Sequence, residues 1–242
     1  MTERVNILGV EVDAVTMSQA VEKIESFIDE KKSVIVATAN AEMLLRATED
    51  EELKNILNSA ALVVADGAGT VWAAHQLGKN MPERVAGVDL VQELMKNAVR
   101  KSHKFFLFGA SPGIAEKAKL KAEELYPGIK IVGVRNGYFS AEDEPEIIAQ
   151  IKNAKPDILL AALGVPKQEK WIAAHKDELN IPVSIGVGGT LDVMAGVVKR
   201  APIFMQKLKL EWLYRAMLQP SRAGRLIALP KFVLKVFMSE KN

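Results

Sequence analysis

The chain of 242 residues contains no cysteine and only three histidines, His75, His103 and His175. The lack of cysteine excludes thiol nucleophiles, disulfide bonds and cysteine-based zinc sites, and it fits a reducing compartment. The three histidines are scattered along the sequence and show no metal-ligand spacing. We therefore expect neither a bound metal nor a cofactor.

Long apolar runs are also absent. No segment approaches the roughly 18 to 20 apolar residues that crossing a bilayer requires, and the N-terminus lacks the basic-then-apolar order of a signal peptide. With 49% hydrophobic and 26% charged residues, the composition is that of a soluble globular protein with one substantial core. We expect the protein to be cytoplasmic.

The charge is distributed unevenly along the chain. Residues 199–242 hold ten Lys/Arg and two Asp/Glu, a net charge of +8, whereas residues 1–198 carry −6. Aromatic residues are mixed with these basic ones: Trp212, Tyr214, Phe232 and Phe237. Basic residues mixed with aromatic ones favour an anionic lipid surface as partner. We expect peripheral association with the inner face of the cell membrane, and no nucleic-acid partner.

Short apolar runs alternate with segments of helical period. The runs are Val34 to Ala37, Ala61 to Val64, Lys104 to Phe108, Ile129 to Val134, Ile158 to Ala162 and Val183 to Val187. Between the strands we expect helices such as Ser18 to Glu30, with a capping box from Thr16 to Gln19. The alternation predicts an α/β fold, a Rossmann-like, doubly wound and mainly parallel sheet.

The strand pattern stops after Asp192. Pro202 should open a helix that ends before Pro220, with further helical pieces from Ser221 and from Pro230. We therefore divide the chain into an α/β domain, residues 1–195, and a basic, apolar helical appendage, residues 196–242. The helix after Pro202 has two apolar arcs, which leaves the core, a second copy of the chain or lipid as its packing partners.

Polar residues follow the first two apolar runs, where parallel sheets bind ligands. Asp66 sits directly after the second run beside glycines, which suits a general base; the alternative is a helix N-cap. Thr38 and Asn40 should point to the same side of the strand end. Hydrogen bonding to a sugar or uracil is one interpretation of this pair, and capping the helix that begins near Ala41 is the other.

Two glycine-rich loops follow later strands. Gly109 and Gly113 flank one of them, and Gly188 and Gly189 lie in the other, shortly before Asp192. Exposed backbone N–H groups in such loops bind phosphate, although glycine also serves simply as a turn residue. The second loop does not complete a dinucleotide fingerprint and lacks the acid about 20 residues further on, so a nicotinamide site is poorly supported.

A charged run follows Pro166, which suits the first turn of a helix. We expect Lys167 and Gln168 to point into the cleft at the strand ends, while the later members, Glu169 and Lys170, face solvent. The alternative is that the whole run is a solvated charged surface.

Four arginines are candidates for binding an anionic ligand. Arg84 lies among turn residues and is either a ligand contact or an ion-pair partner. Arg215, Arg222 and Arg225 form a lipid-facing patch, a solvated face or a diphosphate clamp, and the last two share one side of a helix.

The chain resembles the WecG/TagA/CpsF glycosyltransferases over nearly its entire length. The matching segments are Thr38 to Asn40, Ala65 to Gly67, Arg84 to Gly87, Phe108 to Ala110, Asn136 to Phe139, Gly164 to Trp171, Gly186 to Asp192 and Glu211 to Arg215. The segments from Gly164 to Trp171 and from Gly186 to Pro202 are highly specific. The sequence is most similar to the branch that builds the wall teichoic acid linkage unit.

This resemblance implies an inverting transfer of N-acetylmannosamine from UDP-N-acetylmannosamine to undecaprenyl-diphosphate-linked N-acetylglucosamine. It also implies that Asp66 is the base and that Thr38, Asn40 and Gln168 position the substrate. The substrate-binding set would comprise Arg84, Gly109, Gly113, Lys167, Gly188, Gly189, Asp192, Arg215, Arg222 and Arg225. Because the chain has no Asp-x-Asp motif, backbone N–H groups and arginines would meet the diphosphate charge without a metal.

Three alternatives stay open at this point. The donor sugar is N-acetylmannosaminuronic acid instead, the chain binds a nucleotide sugar or lipid carrier without catalysis, or it is an oxidoreductase that binds NAD(H). The oligomeric state is also left open, including a homo-oligomer.

Overall fold

A computed structural model describes residues 3–202 and 224–239, together with the single positions 205 and 214. The strands are β1 (Arg4–Ile7), β2 (Val10–Asp13), β3 (Val34–Ala39), β4 (Leu62–Ala65), β5 (Lys104–Gly109), β6 (Lys130–Arg135), β7 (Ile158–Ala162) and β8 (Val183–Gly186). They form one sheet in the order β1-β2-β4-β3-β8-β7-β5-β6. β1 pairs with β2 in antiparallel fashion, and the other pairs are parallel.

Helices connect and cover these strands. They are α1 (Met17–Asp29), α2 (Ala41–Ala47), α3 (Glu51–Ser59), α4 (Ala68–Gln76), α5 (Gly87–Lys101), α6 (Ile114–Leu125), α7 (Glu144–Ala154), α8 (Lys167–Leu179), α9 (Thr190–Met194) and α10 (Gly224–Ser239), with a 3₁₀ turn at Ala141–Asp143. Within the described ranges, none of these helices has the length and apolar character needed to cross a membrane.

All six predicted apolar runs are strands, and the predicted first helix is confirmed within one residue at each end. Its capping box is also present: Thr16 Oγ1 accepts a hydrogen bond from the Gln19 backbone N–H, and Gln19 Oε1 accepts one from the Thr16 N–H. The hairpin of β1 and β2 was not predicted. β1 alternates between exposed and buried residues and so contains no continuous apolar run.

The sheet has a buried apolar cluster on each face. Consecutive strand residues point to opposite faces, so Phe106 and Phe108 of β5 join one cluster while Phe105 and Leu107 join the other. Helices α2, α3, α4, α7, α8 and α10 contribute to the first cluster, and α1, α5, α6 and α9 to the second. The predicted α/β fold with a mainly parallel sheet is therefore confirmed, and its helices cover both faces of the sheet.

The last helix, α10, packs on the sheet-covering helices α2 and α4. Phe232 and Val236, one turn apart, are fully buried in the first cluster. Pro230 lies inside this helix, so the prediction that a helix begins at Pro230 is wrong. The buried contacts of Phe232 and Val236, which follow the proline, stabilise a helix that continues through it. The helix predicted between Pro202 and Pro220 falls almost entirely outside the described residues.

Candidate active site at the carboxyl edge of the sheet

Thr38 and Asp66 meet at one edge of the sheet, because β3 and β4 are parallel neighbours and both end there. Gly87, the first residue of α5, lies against both side chains. A Cβ added at Gly87 would be 3.2 Å from Thr38 Cγ2 and 3.5 Å from Asp66 Oδ2. The start of α5 therefore approaches the two side chains closely, and glycine leaves the room for it.

Asp66 is half-buried at the start of the loop between β4 and α4. The N-cap of α4 is Gly67, at a φ of +97°, so Asp66 is not the N-cap of this helix. The Asp66 backbone N–H donates to the Ala39 carbonyl at 2.9 Å, which holds the residue beside the end of β3. The positive end of the α5 dipole favours a negative charge at this place. Asp66 is thus a carboxyl group at the ligand-binding edge, the kind of group that serves as a general base.

Thr38 and Asn40 each make a hydrogen bond within the protein. Thr38 is buried, and its hydroxyl donates to the Gly186 carbonyl at 3.1 Å, which joins β3 to β8. Asn40 Oδ1 accepts from the Met43 backbone N–H at 3.0 Å and caps α2. The capping interpretation of Asn40 is therefore confirmed, and its Nδ2 group is the part of the side chain that can turn to a ligand.

Gln168 connects the two loops that follow β7 and β8. Its Oε1 accepts hydrogen bonds from the backbone N–H groups of Gly164, at 3.2 Å, and Gly188, at 3.0 Å. Its Nε2 donates to Glu169 Oε1 at 2.7 Å. Because the side chain is buried, Gln168 positions the loops rather than protruding into open space.

The residues around Gln168 only partly follow the sequence prediction. Lys167 is exposed, with its Nζ 4.2 Å from the centroid of the Phe139 ring. Lys170 forms ion pairs with Asp50, at 2.9 Å, and Glu52, at 2.7 Å. The expectation that the members after Gln168 face solvent is wrong for Glu169, which is 1% exposed.

Helical spacing explains this burial and is the signal that could have revealed it. Gln168 and Glu169 precede Trp171 and Ile172 by three residues each, and all four lie on the buried side of α8. Burial raises the pKa of Glu169 to about 7, against smaller opposing effects of hydrogen bonds from the Gln168 side chain and the backbone.

The four candidate glycines differ in their surroundings. At Gly109, φ is +126° and an added Cβ would lie 2.4 Å from the Ala162 carbonyl oxygen, so close packing of β5 on β7 requires glycine. Gly113, at a φ of +82°, and Gly188, at +52°, face open space instead. Gly113 is the N-cap of α6, and Gly189 is the N-cap of α9. The backbone at Gly113 is therefore accessible to an anion, whereas the Gly188 N–H already donates to Gln168 Oε1.

Asp192 lies in the short helix α9 and is half-buried. Its backbone carbonyl accepts hydrogen bonds from Val197, at 3.0 Å, and Val198, at 3.1 Å, which closes the turn after the helix. The structure thus places Asp192 at the same sheet edge as Gly188, one helical turn further along the chain.

Two arginines converge on Asp89 in the first turn of α5. Arg84 Nη2 lies 4.0 Å from Asp89 Oδ2, which confirms the ion-pair interpretation of Arg84. Arg200 contacts both carboxylate oxygens of Asp89, at 2.5 and 3.3 Å. Arg200 was not among the predicted site residues, and its pairing with Asp89 anchors the start of the basic segment beside α5.

The other three candidate arginines belong to the C-terminal segment. Arg215 and Arg222 lie outside the described residues, as does the side chain of Arg225. In the part of the chain that is described, no three Asp, Glu or His side chains come together in a way that would hold a metal ion.

A carboxyl group, two glycine-containing loops and two arginines that pair with Asp89 therefore share the carboxyl edge of a parallel sheet. This arrangement is typical of α/β proteins that bind a nucleotide or another anionic ligand at that edge. Residues 5–242 match the glycosyl transferase WecG/TagA/CpsF family, and the chain belongs to this family.

Curated relatives from Staphylococcus aureus carry a specific enzyme name. The proteins of strains NCTC 8325 / PS 47 and MRSA252 are both named N-acetylglucosaminyldiphosphoundecaprenol N-acetyl-beta-D-mannosaminyltransferase. Each is 38% identical to this chain over 243 residues, an alignment that covers 100% of the chain and 95% of the relative. The resemblance drawn from the sequence motifs is thereby confirmed.

Proposed function

We propose that this protein is an inverting glycosyltransferase that moves N-acetylmannosamine from UDP-N-acetylmannosamine to N-acetylglucosamine on undecaprenyl diphosphate. The product is the β-linked disaccharide of the wall teichoic acid linkage unit. The observation that carries this proposal is the Asp66 carboxylate beside Thr38 and the start of α5, at the edge where parallel sheets bind ligands. The printed names of the S. aureus relatives support the choice of sugar and acceptor.

The proposed reaction is a single displacement at the anomeric carbon. The acceptor hydroxyl oxygen attacks this carbon, its proton passes to Asp66, and the bond to the UDP oxygen breaks as UDP leaves. The transition state resembles an oxocarbenium ion, so the base and the groups that stabilise the leaving diphosphate both act in it. General base catalysis of this kind contributes about 10²- to 10⁴-fold in rate.

Protein groups would meet the diphosphate charge in place of a metal. The open backbone at Gly113 supplies an N–H donor, and Lys167 supplies an exposed cation at the start of α8. Arg84 sits beside the start of α5. We propose that Arg215, Arg222 and Arg225 complete the set from the basic segment.

We further propose that α10 attaches the protein to the inner face of the cell membrane, where the lipid-linked acceptor lies. Leu234 and Met238 are each 61% exposed, and Phe237 is 42% exposed, while Phe232 and Val236 face the core. Large apolar side chains exposed together on one helix favour an interfacial position in a bilayer. The same surface would also suit a second copy of the chain, and a vesicle-binding experiment distinguishes membrane binding from self-association.

The proposed activity predicts UDP release that depends on both substrates. Purified protein with UDP-N-acetylmannosamine and a soluble lipid-diphosphate N-acetylglucosamine analogue should form the disaccharide and UDP in equal amounts, measured by mass spectrometry and a coupled UDP assay. UDP-N-acetylglucosamine is the control for donor specificity. Faster turnover of UDP-N-acetylmannosaminuronic acid would change the donor, UDP binding without release would indicate a binding module, and thermal stabilisation by NAD(H) alone would indicate an oxidoreductase.

The proposed membrane surface predicts weaker vesicle binding when α10 loses exposed apolar area. Replacing Leu234 and Met238 with serine should lower the partition coefficient onto phosphatidylglycerol vesicles by about tenfold or more, because burying such a side chain contributes roughly 1.5 to 3 kcal/mol. Co-sedimentation measures it. Leu120→Ser is the control, because Leu120 is equally exposed at 65% but lies on α6, in the other helical layer.

Equal loss of binding in the Leu120→Ser control would show that the effect is not specific to α10. Unchanged vesicle binding of the double variant, combined with loss of a dimer in sedimentation velocity, would assign the surface to a second copy instead.

A further inference from the structure

We infer that Glu169 is a positioning residue for the reaction: its buried carboxyl group orients the Gln168 amide and thereby holds the loops after β7 and β8 in the shape that receives the diphosphate. This inference rests on the proposed sugar transfer and assigns a role to a residue that the proposed mechanism does not use. Glu169 itself is enclosed by the protein, so it acts through Gln168 and not on the substrate.

The hydrogen bonds around Gln168 fix which way its amide points. Two backbone N–H donors, from Gly164 and Gly188, face the same side-chain oxygen. A rotated amide would present its own NH₂ group to these donors and lose both bonds. The NH₂ group must therefore point away from the loops, and there it donates to Glu169 Oε1 at 2.7 Å. Glu169 is thus the acceptor that secures the orientation on which both loops depend.

The side chains of Gln168 and Glu169 pack directly on the backbone of β8. A Cβ added at Gly186 would lie 2.6 Å from Gln168 Nε2 and 2.7 Å from Glu169 Oε1. The Gly186 carbonyl in turn accepts the hydrogen bond from the Thr38 hydroxyl. The contacts therefore run from Glu169 through Gln168 and Gly186 to Thr38, which lies beside Asp66 at Gly87. Burial leaves this set little freedom to rearrange.

Glu169 has features that ordinary packing would not require. Its Oε2 is buried without a hydrogen-bond partner among the described residues, which is costly for a carboxylate. Burial accordingly raises the pKa of Glu169 to about 7, so its charge changes near neutral pH. A leucine or methionine would fill the space without this cost but would leave the Gln168 amide without its acceptor.

Neighbouring charges do not explain the behaviour of Glu169, because the charged groups on and around α8 have other partners. Lys170 pairs with Asp50 and Glu52 of the α3 N-terminus. Glu144 of α7 accepts from Trp171 Nε1 at 2.7 Å and lies 3.3 Å from His175. Arg46 of α2 donates to the Val165 carbonyl. The strands packed against α8, β3, β7 and β8, present no ionisable side chain.

The test is to compare wild type with Glu169→Gln in the full chain. We expect this variant to bind UDP about tenfold more weakly and to have a higher KM for the UDP-sugar, because a hydrogen bond to a charged group is replaced by a neutral one. In wild type, UDP affinity and kcat/KM should rise between about pH 6 and pH 8, as the carboxylate forms around a pKa of about 7. The variant should show a smaller rise, limited to the part that comes from the ionisation of UDP.

The matched control is Glu144→Gln, the same substitution at a half-buried acid that contacts α8 through Trp171. Glu144→Gln should change the thermal stability of the protein but keep the wild-type pH dependence of UDP affinity and kcat/KM. The ionisation of UDP itself is common to all three proteins and cancels. If Glu169→Gln does not fold by circular dichroism, Glu169→Asp takes its place, since it keeps the charge but withdraws the acceptor from Gln168.

Wild-type UDP affinity and an unchanged pH profile in the Glu169 variant would overturn the inference. Calorimetry with UDP alone tests the role of Glu169 independently of whether the protein transfers the sugar. If wild type binds UDP but does not transfer N-acetylmannosamine, the proposed function fails, while the role of Glu169 is decided by the UDP affinities.

Discussion

Replacing Asp66 with asparagine is expected to lower kcat for sugar transfer by about 10²- to 10⁴-fold, the usual contribution of a general base. Asparagine has nearly the same shape but cannot take the proton of the acceptor hydroxyl. Because the backbone bond from Asp66 to the Ala39 carbonyl does not involve the side chain, the loop between β4 and α4 should keep its shape. UDP affinity should therefore change little, so the loss appears in kcat.

The measurement is single-turnover transfer with saturating UDP-N-acetylmannosamine, together with calorimetric UDP binding. Asp157→Asn is a suitable control, because Asp157 lies before β7, at the opposite edge of the sheet, and accepts from the Lys104 backbone N–H at 2.8 Å. It should retain wild-type turnover. If Asp66→Asn keeps the wild-type kcat, Asp66 is not the base. Catalysis would then come from the way the protein positions the two bound substrates.

The sequence was sufficient to predict the position of Asp66 because it required only short-range information. A buried apolar run predicts a parallel strand, and the residue after it lies at the ligand-binding edge. Thr38 was correctly predicted to lie at that edge, and α1 with its capping box was predicted from the same kind of short-range pattern. Such a pattern also gave two interpretations of Asn40, and only the hydrogen bond to Met43 decides in favour of capping.

Contacts between distant segments could not be predicted in this way. The Arg200 pair with Asp89 joins residues 111 positions apart, and the hydrogen bond from Gly188 to Gln168 joins the loop after β8 to the first turn of α8. Glu169 was misassigned because charged residues are usually solvated. Glu169 is buried because it lies on the same side of α8 as Trp171 and Ile172. The composition of the charged run alone does not reveal this.

The division of the chain at residue 195 was inferred from where the strand pattern ends, and it stays a prediction. α10 nevertheless packs against α2 and α4, the helices that begin just after Asn40 and just after Asp66 and Gly67. Gly69 in α4 lies close to this helix, since an added Cβ would be 3.9 Å from Leu229 and 4.0 Å from Phe232. The C-terminal helix therefore supports the elements that position the site.

Phe232→Ala is accordingly expected to lower the free energy of unfolding by about 3 to 5 kcal/mol, the range for removing a fully buried phenylalanine. Urea denaturation followed by far-UV circular dichroism measures this loss. Phe237→Ala is the control on the same helix, because Phe237 is partly exposed and makes an edge-to-face contact with Trp72 at 5.7 Å between centroids. That contact and its modest burial predict a loss of about 1 kcal/mol.

The pattern of unfolding distinguishes two views of the C-terminal segment. If α10 belongs to the core of the α/β domain, Phe232→Ala shifts the single cooperative transition to lower urea, and kcat falls because α2 and α4 lose their support. If α10 is instead an independent appendage, the main transition stays in place and only protease cleavage near residues 224–239 becomes faster. Because Phe232 and Val236 are buried in the same cluster as Phe106 and Phe108 of β5, we expect the single shifted transition.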